Sequence, residues 1–289
     1  MLDIRQIRYE ITAARPLKLH QAVPTITLRG AFGYALAQVI ARRAGIRHLR
    51  DQVELYKSIF MPHNSGEVPL HDEDLARPFV LRGTFSRPDH RSFILDVFIF
   101  GQKENAEFFF DEVLRVMAHM GLGFPIQRCE IEKLCSHTVP LQEKPVDSSF
   151  LLVRFLTPCS RLKAHGSVFY DEIPFYALFA RLVDRVDSLE ILYGDGLSPT
   201  TSDDKGMLKN AAKEIAWRKL SGGQFTVTRI SRRTEDLIKM DGFVGEMLYH
   251  GDFVPFFPYL RYLPVINVGR FNVFGCGWCE VEYLNEEPL

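Results

Sequence analysis

Apolar and polar positions alternate through residues 5–13 (RQIRYEITA), the two-residue period of a half-buried strand. The period then changes. Leu28, Ala31, Phe32, Ala35, Leu36, Val39 and Ile40 recur at the three-and-four spacing of a core-facing helix, opened by Thr27 and stopped at Gly45. A short second helix fits residues 52–60. Strands follow at 78–85 (PFVLRGTF) and 92–100 (SFILDVFIF), joined by the turn chemistry of Arg87-Pro88-Asp89-His90. Phe109, Val113, Val116, Met117 and Met120 mark a helix over 105–120 that ends at Gly121-Leu122-Gly123, and a last strand covers 126–135. The order β-α-β-β-α-β is that of the split βαβ, or ferredoxin-like, unit.

A polar stretch with two prolines, 138–149, reads as a linker, after which the pattern starts again. Strand 149–156 precedes a helix opened by Pro174 and carrying Phe175, Leu178, Phe179, Leu182, Val183 and Val186. A loop over 194–206, a helix over 207–219 and strands at 224–231 and 242–249 follow. A proline-punctuated aromatic segment, 253–264, leads through a glycine-rich loop to a closing strand at 278–284. The predicted fold class is therefore α+β: two tandem ferredoxin-like domains, residues 1–140 and 141–289, the second with a C-terminal glycine-rich loop.

Composition narrows the function classes. A chain of 289 residues with 46% hydrophobic and 25% charged residues has the proportions of a globular protein, which excludes disorder, collagen and coiled coil. No apolar run reaches the roughly 18 residues of a membrane helix, since Asp96 interrupts the longest candidate, and charges at Asp3, Arg5, Arg8 and Glu10 leave no signal-peptide core. Five cysteines, an odd number without an export signal, read as reduced thiols in the cytoplasm. Cys276 and Cys279 have the spacing of half a zinc knuckle, but Cys129 and Cys135 do not supply the matching pair, so no metal site is expected.

The formal charge of −1 argues against a generic nucleic-acid coat protein but hides an uneven distribution. Residues 1–50 hold nine basic and two acidic groups, a local +7, and residues 211–240 hold seven and three, a local +4. Arg154, Arg161, Lys163, Arg229, Arg232 and Arg233 are candidates for lining a groove in the second domain. The stretch from Val268 to Gly277 carries Gly269, Gly275 and Gly277 around Arg270, with the makings of a phosphate cradle: backbone free to turn, exposed amides and a cation. It lacks the Lys-Ser or Lys-Thr of a P-loop and the strand-loop-helix setting of a dinucleotide fingerprint. The bland alternative is a plain bulged turn.

The runs Gly242-Phe243-Val244-Gly245, Gly251-Asp252-Phe253, Val268-Gly269-Arg270 and Phe274-Gly275-Cys276-Gly277 resemble the signature of the CRISPR-associated endoribonucleases that cut precursor CRISPR RNA within its repeats. Those enzymes belong to the repeat-associated mysterious protein superfamily. Leu28-Arg29-Gly30-Ala31-Phe32-Gly33, Arg77-Pro78-Phe79-Val80-Leu81, Phe155-Leu156-Thr157-Pro158 with Arg161-Leu162-Lys163, and Thr228-Arg229-Ile230-Ser231-Arg232 extend the resemblance over nearly the whole chain in order. The chain departs from the family at Tyr34, where members often carry histidine, and at Asn267 and Arg270, where they often read histidine and lysine.

The resemblance implies antiviral RNA processing without metal or cofactor. The ribose 2′-OH attacks the adjacent phosphate, the 5′-oxygen leaves, and a 2′,3′-cyclic phosphate remains. It further implies a histidine after the first helix, assisted by a tyrosine and a lysine. The matching positions are His48, Tyr34 and Lys57. Arg43 and Arg47 flank His48 and would draw a phosphate to it; Arg29, Arg154, Arg161, Lys163, Arg229, Arg232, Gly269, Arg270, Gly275 and Gly277 complete the candidate RNA contacts. The expected partners are repeat RNA and a CRISPR effector complex, with no membrane. Two alternatives stay open: a non-catalytic RNA-binding subunit of a CRISPR effector complex on the same fold, and a ferredoxin-like metabolic enzyme or small-molecule binder with no RNA affinity.

Overall fold

The structure, a computed structural model, describes residues 2–20, 23–44, 53–54, 57, 59, 75–101, 106–123, 125–160, 162–164, 167–169, 171–230 and 237–288. The chain divides into two compact units, 1–139 with 191–195, and 140–190 with 196–289.

In the first unit the elements run β1 (Ile4–Ala13), α1 (Thr25–Ala44), β2 (Phe79–Phe85), β3 (Ser92–Phe100), α2 (Ala106–Met120) and β4 (Cys129–Thr138). The strands form one antiparallel sheet in the order β2-β3-β1-β4, the ferredoxin-like arrangement. The period of two decides which face meets the helices: Ile7, Tyr9 and Ile11 are wholly buried, while Arg8 points the other way and pairs bidentately with Asp96 at 2.8 and 2.9 Å. Phe32 of α1 and Phe110 of α2 stack 5.5 Å apart and both reach Phe79 of β2. Each such ring contributes about 1.5–3 kcal/mol on burial. Tyr9 donates to Asp111 at 2.8 Å and Lys133 to the same carboxylate at 2.6 Å, fixing α2 over the sheet.

Strand β4 begins three residues later than its hydrophobic pattern predicts. Residues 126–128 are committed to a tight turn instead: Leu122 and Gln127 exchange backbone hydrogen bonds of 2.8 and 3.0 Å, and the Gln127 amide donates to Arg15 and Pro16 carbonyls.

The second unit contains β5 (Phe150–Ser160), the short hairpin β6 (Leu162–Ala164) and β7 (Ser167–Phe169), α3 (Phe175–Tyr193), α4 (Ser202–Ala211), β8 (Ala216–Ile230), β9 (Leu237–His250), α5 (Phe257–Leu260), α6 (Leu263–Ile266) and β10 (Cys279–Leu284). Its antiparallel sheet has the order β10-β5-β9-β8, which repeats the first unit's arrangement. Thr201 caps α4 by accepting from the Asp204 amide at 3.2 Å, with Asp203 and Asp204 in the positive first turn. That helix ends eight residues before the predicted stop, because Ala216–Lys219 pair with Met247–His250 as strand; cross-strand pairing overrides the local helical pattern. β9 extends past the end of β5 at Gly242, so residues 226–230 and 237–241 form a two-stranded ribbon beyond the sheet.

Where the first unit has its second long helix, this unit has three single turns. Pro255, Pro258 and Pro264 each sit at the start of one, where the missing amide costs nothing but continuation of the preceding turn is blocked. Aromatic packing takes over from helical continuity: Phe175 meets Tyr249, Phe253 and Phe256 at 5.1–5.7 Å, and Phe179 meets Phe256 and Tyr259.

Candidate functional site

The glycine-rich loop links α6 to β10 within the second unit, and its stem is fixed on three sides. Arg185 of α3 donates Nε to the Ile266 carbonyl at 2.8 Å. Asn267, fully buried and turned to φ 51°, donates its amide to the Cys276 carbonyl at 3.1 Å. The Val268 amide donates to Gly277 at 2.9 Å, the Gly277 amide to Pro158 at 3.0 Å and the Arg270 amide to Ser160 at 3.0 Å. Thr157 donates its hydroxyl to the Gly275 carbonyl at 2.7 Å and accepts from the Trp278 amide at 2.9 Å. Residues 157–160, at the end of β5, thus anchor the whole loop.

Two glycines make this contact possible. A Cβ on Gly277 would lie 1.8 Å from the Val268 carbonyl oxygen, and one on Gly269 would lie 2.7 Å from that of Ser160. Both also have positive φ, which glycine adopts without steric cost.

At the tip, Phe271 is left-handed (φ 64°, ψ 27°) and leads into a 3₁₀ turn over Asn272–Phe274. A left-handed residue followed by a right-handed one turns successive amides, here those of Phe271, Asn272 and Val273, toward a common concavity that suits an anion. The turn itself leaves the Asn272 and Val273 amides unsatisfied. Arg270 is exposed, its guanidinium 5.3 Å from the Phe271 ring centre. Arg229, on the two-stranded ribbon, lies 4.4 Å from the Phe274 ring. Burial lowers the pKa of Arg229, yet an arginine remains charged. Among the described residues neither arginine is ion-paired. Ser160 Oγ and Asn272 Oδ1 are buried without a hydrogen-bond partner among the described residues.

The chemistry of this loop is that of binding and charge stabilisation. Amide donors and two arginines lie along one loop and the ribbon beside it, a combination that favours a phosphate and the negative charge that grows on it during transfer. Proton transfer must come from elsewhere. Cys276 is pushed up to about 12 by burial, and burial raises Cys159 well above the usual thiol value. Asn267 carries no titratable proton.

The structure therefore joins Arg229, Gly269, Arg270, Gly275 and Gly277 of the sequence-predicted contacts. Arg154 belongs elsewhere: it pairs with Glu246 at 3.0 Å and Glu282 at 2.8 Å across the sheet, so its charge is answered within the protein. In the first unit, Arg43 is similarly held by Glu112 of α2, and Lys57 by Glu54 at 2.7 Å. Tyr34 stands exposed on α1, and Arg29 lies on the same helix, its guanidinium 3.0 Å from where a Cβ on Gly33 would sit. His48, Arg47, Arg161 and Arg232 lie outside the described residues, and of Lys163 only the backbone, in β6, is described. Of the described histidines, His90 takes a left-handed turn position stacked on Phe85 at 4.2 Å, and His20 accepts from the Val23 amide at 3.2 Å. Sequence reasoning missed Arg185, Ser160, Phe271 and Phe274. For the two phenylalanines the spacing between glycines was a usable signal; for Arg185, on the polar side of a helix pattern, there was none.

Comparison with known proteins places these observations. The family model for the CRISPR-associated endoribonuclease Cas6 matches residues 153–279, and a model described as an N-terminal domain matches residues 2–148. A search of curated proteins returns no match. Among solved structures, a Cas6 product complex is 17% identical with a TM-score of 0.57, covering 97% of this chain and 99% of that one. Thermus thermophilus Cas6 is 13% identical with a TM-score of 0.55, covering 98% and 99%. A partial Cas6-RT-Cas1–Cas2 complex is 9% identical with a TM-score of 0.54, covering all of this chain and 47% of that one. At these identities the likeness is one of fold. No helix among the described residues is long and apolar enough to cross a membrane.

Proposed function

We propose that this chain, whose residues 153–279 match the family model of the CRISPR-associated endoribonuclease Cas6, cleaves precursor CRISPR RNA within its repeats without a metal ion. In this reading the ribose 2′-OH is deprotonated and attacks the adjacent phosphorus in line. The bond to the 5′-oxygen breaks, that oxygen takes a proton, and the products are a 2′,3′-cyclic phosphate and a free 5′-OH. His48 is the acid-base group, since imidazole titrates near working pH, and Tyr34 and Lys57 assist it. Arg270, Arg229 and the amides of Phe271, Asn272 and Val273 hold a backbone phosphate.

The preformed glycine loop is the observation that carries this reading. Its backbone is stitched to β5 before any ligand arrives, and its donors and cations are ones that the fold, among the described residues, does not itself use. The test is incubation with labelled repeat RNA from the CRISPR array of the same genome, in EDTA, with analysis of the product ends. Cleavage to a cyclic phosphate is expected. His48→Ala should slow it about 10²- to 10⁴-fold while leaving RNA bound. Repeat RNA that stays intact would count against the reading.

Two observations favour a second reading, binding without cleavage: Lys57 is already engaged by Glu54, and buried Asn267 serves the loop's structure. That reading expects tight binding, no product and no effect of His48→Ala. The Cas6-RT-Cas1–Cas2 assembly among the structural relatives supports a place in a larger CRISPR complex, to be tested by co-purification.

A further inference from the structure

Phe271 is the anomaly of the glycine loop. Gly269, Gly275 and Gly277 take positive φ at no steric cost, and Asn267 in the stem, at φ 51°, uses its side chain to hold the Cys276 carbonyl, whereas Phe271 holds φ 64° with a bulky side chain. A glycine there would relieve the backbone, so the ring must contribute something that glycine cannot. It is not needed as core: Asn272 and Val273 beside it are buried, but Phe271 is half-buried. Its ring meets Phe274 in a T-shaped contact at 6.3 Å and 71°. Arg270 lies 5.3 Å from the Phe271 centre and Arg229 4.4 Å from the Phe274 centre, so two rings and two guanidiniums follow one another across the loop.

That series selects a chemistry. A simple anion gains from the arginines and amides but has no use for the rings. An apolar partner gains from the rings but would have to desolvate two cations. A nucleotide satisfies both, with an aromatic base for the rings and a phosphate for the donors one residue away. The base must be unpaired, because a base inside an A-form helix offers no free face. We propose that Phe271, backed by Arg270, is the stacking platform for one unpaired base of the bound RNA, whose neighbouring phosphate sits at the amides of Asn272 and Val273. The inference rests on the function proposed above and adds a residue that determines where the strand is gripped.

The experiment compares wild type with Phe271→Tyr, Phe271→Leu and Phe271→Gly. The probe is the repeat RNA of the same genome, with 2-aminopurine placed in turn at each unpaired position; binding, fluorescence quenching and thermal melting are measured. Wild type and Phe271→Tyr are expected to bind alike and to quench the probe at one position. Phe271→Leu and Phe271→Gly are expected to bind about 5- to 150-fold more weakly and to lose that quenching. Phe271→Gly should melt no lower than wild type, which separates stacking from a merely structural role. Wild type with no affinity for the RNA overturns the proposed function itself. Wild type that binds, with all variants binding and quenching equally, overturns the stacking inference alone. So does a loss of binding that follows a lowered melting temperature in Phe271→Gly.

Discussion

Gly277→Ala tests whether the loop is held by close backbone approach. The new Cβ would lie 1.8 Å from the Val268 carbonyl oxygen and 2.8 Å from its carbonyl carbon and nitrogen, all of them backbone atoms that no rotamer change can move. Restoring van der Waals contact requires a separation of about 1.5 Å or more. The Val268–Gly277 hydrogen bond of 2.9 Å cannot survive that, and the Gly277–Pro158 bond of 3.0 Å is strained with it. Two such bonds contribute about 1 kcal/mol each. Holding alanine at φ 74° adds roughly 1–2 kcal/mol. The expected loss is about 3–4 kcal/mol, near the top of the range for single substitutions. Gly196→Ala is the control, because φ is 77° there but nothing lies within 4 Å, leaving only the conformational cost of about 1–2 kcal/mol. Gly206→Ala, inside α4 with open space around it, should stabilise by roughly 0.5–1 kcal/mol. Urea unfolding followed by tryptophan fluorescence is suited to the comparison, because Trp217 and Trp278, the two tryptophans of the chain, both lie in the second unit. If Gly277→Ala costs no more than Gly196→Ala, the close-approach argument is wrong.

Arg270→Ala should weaken RNA binding and lower the slope of log affinity against log salt by about 1, as expected for one lost phosphate contact; an unchanged slope would remove Arg270 from the phosphate site. In the native protein a thiol reagent should modify exposed Cys135 readily, while buried Cys159, Cys276 and Cys279 should react only on unfolding, the thiols of Cys159 and Cys276 being also pushed up by burial. Prompt labelling of all five thiols would refute that. Burial lowers the pKa of His20, whose Nδ1 accepts the Val23 amide, so protonation favours the unfolded chain. Its contribution is full above its ordinary value of about 6.5 and is lost as the pH falls through the lower folded value. Urea midpoints measured across that window should fall more steeply for wild type than for His20→Asn, and parallel profiles would contradict the assignment.

Element order was readable because the change of hydrophobic period from two to three-and-four is a local signal. Boundaries were lost where the deciding partner is remote. Residues 126–128 alternate like a strand but are taken by the Leu122–Gln127 turn and by the carbonyls of Arg15 and Pro16. Residues 216–219 continue a helical pattern but pair with 247–250. The glycine loop was recognisable as a turn from its glycines, yet its attachment to Thr157 and Ser160, more than a hundred positions earlier, leaves no local trace.

Charge shows the same limit in sharper form. Counting basic residues weighted Arg43, Lys57, Arg154 and Arg270 alike. Only Lys57 has its carboxylate close in sequence, at Glu54, where the spacing of three is legible on a helix. Arg43 finds Glu112 and Arg154 finds Glu246 and Glu282, matches set by sheet order and helix packing rather than by spacing. The clustering of like charges in a sequence therefore says little about which of them face a ligand. What distinguishes Arg229 and Arg270 is that the described residues bring an aromatic ring, and no carboxylate, to each. A ring leaves the guanidinium its full charge and its in-plane donors, whereas a carboxylate consumes both. An arginine stacked on a ring beside unsatisfied amides is thus poised for phosphate in a way that a paired one is not, and this is why the loss of Arg270 should show in the salt dependence of binding.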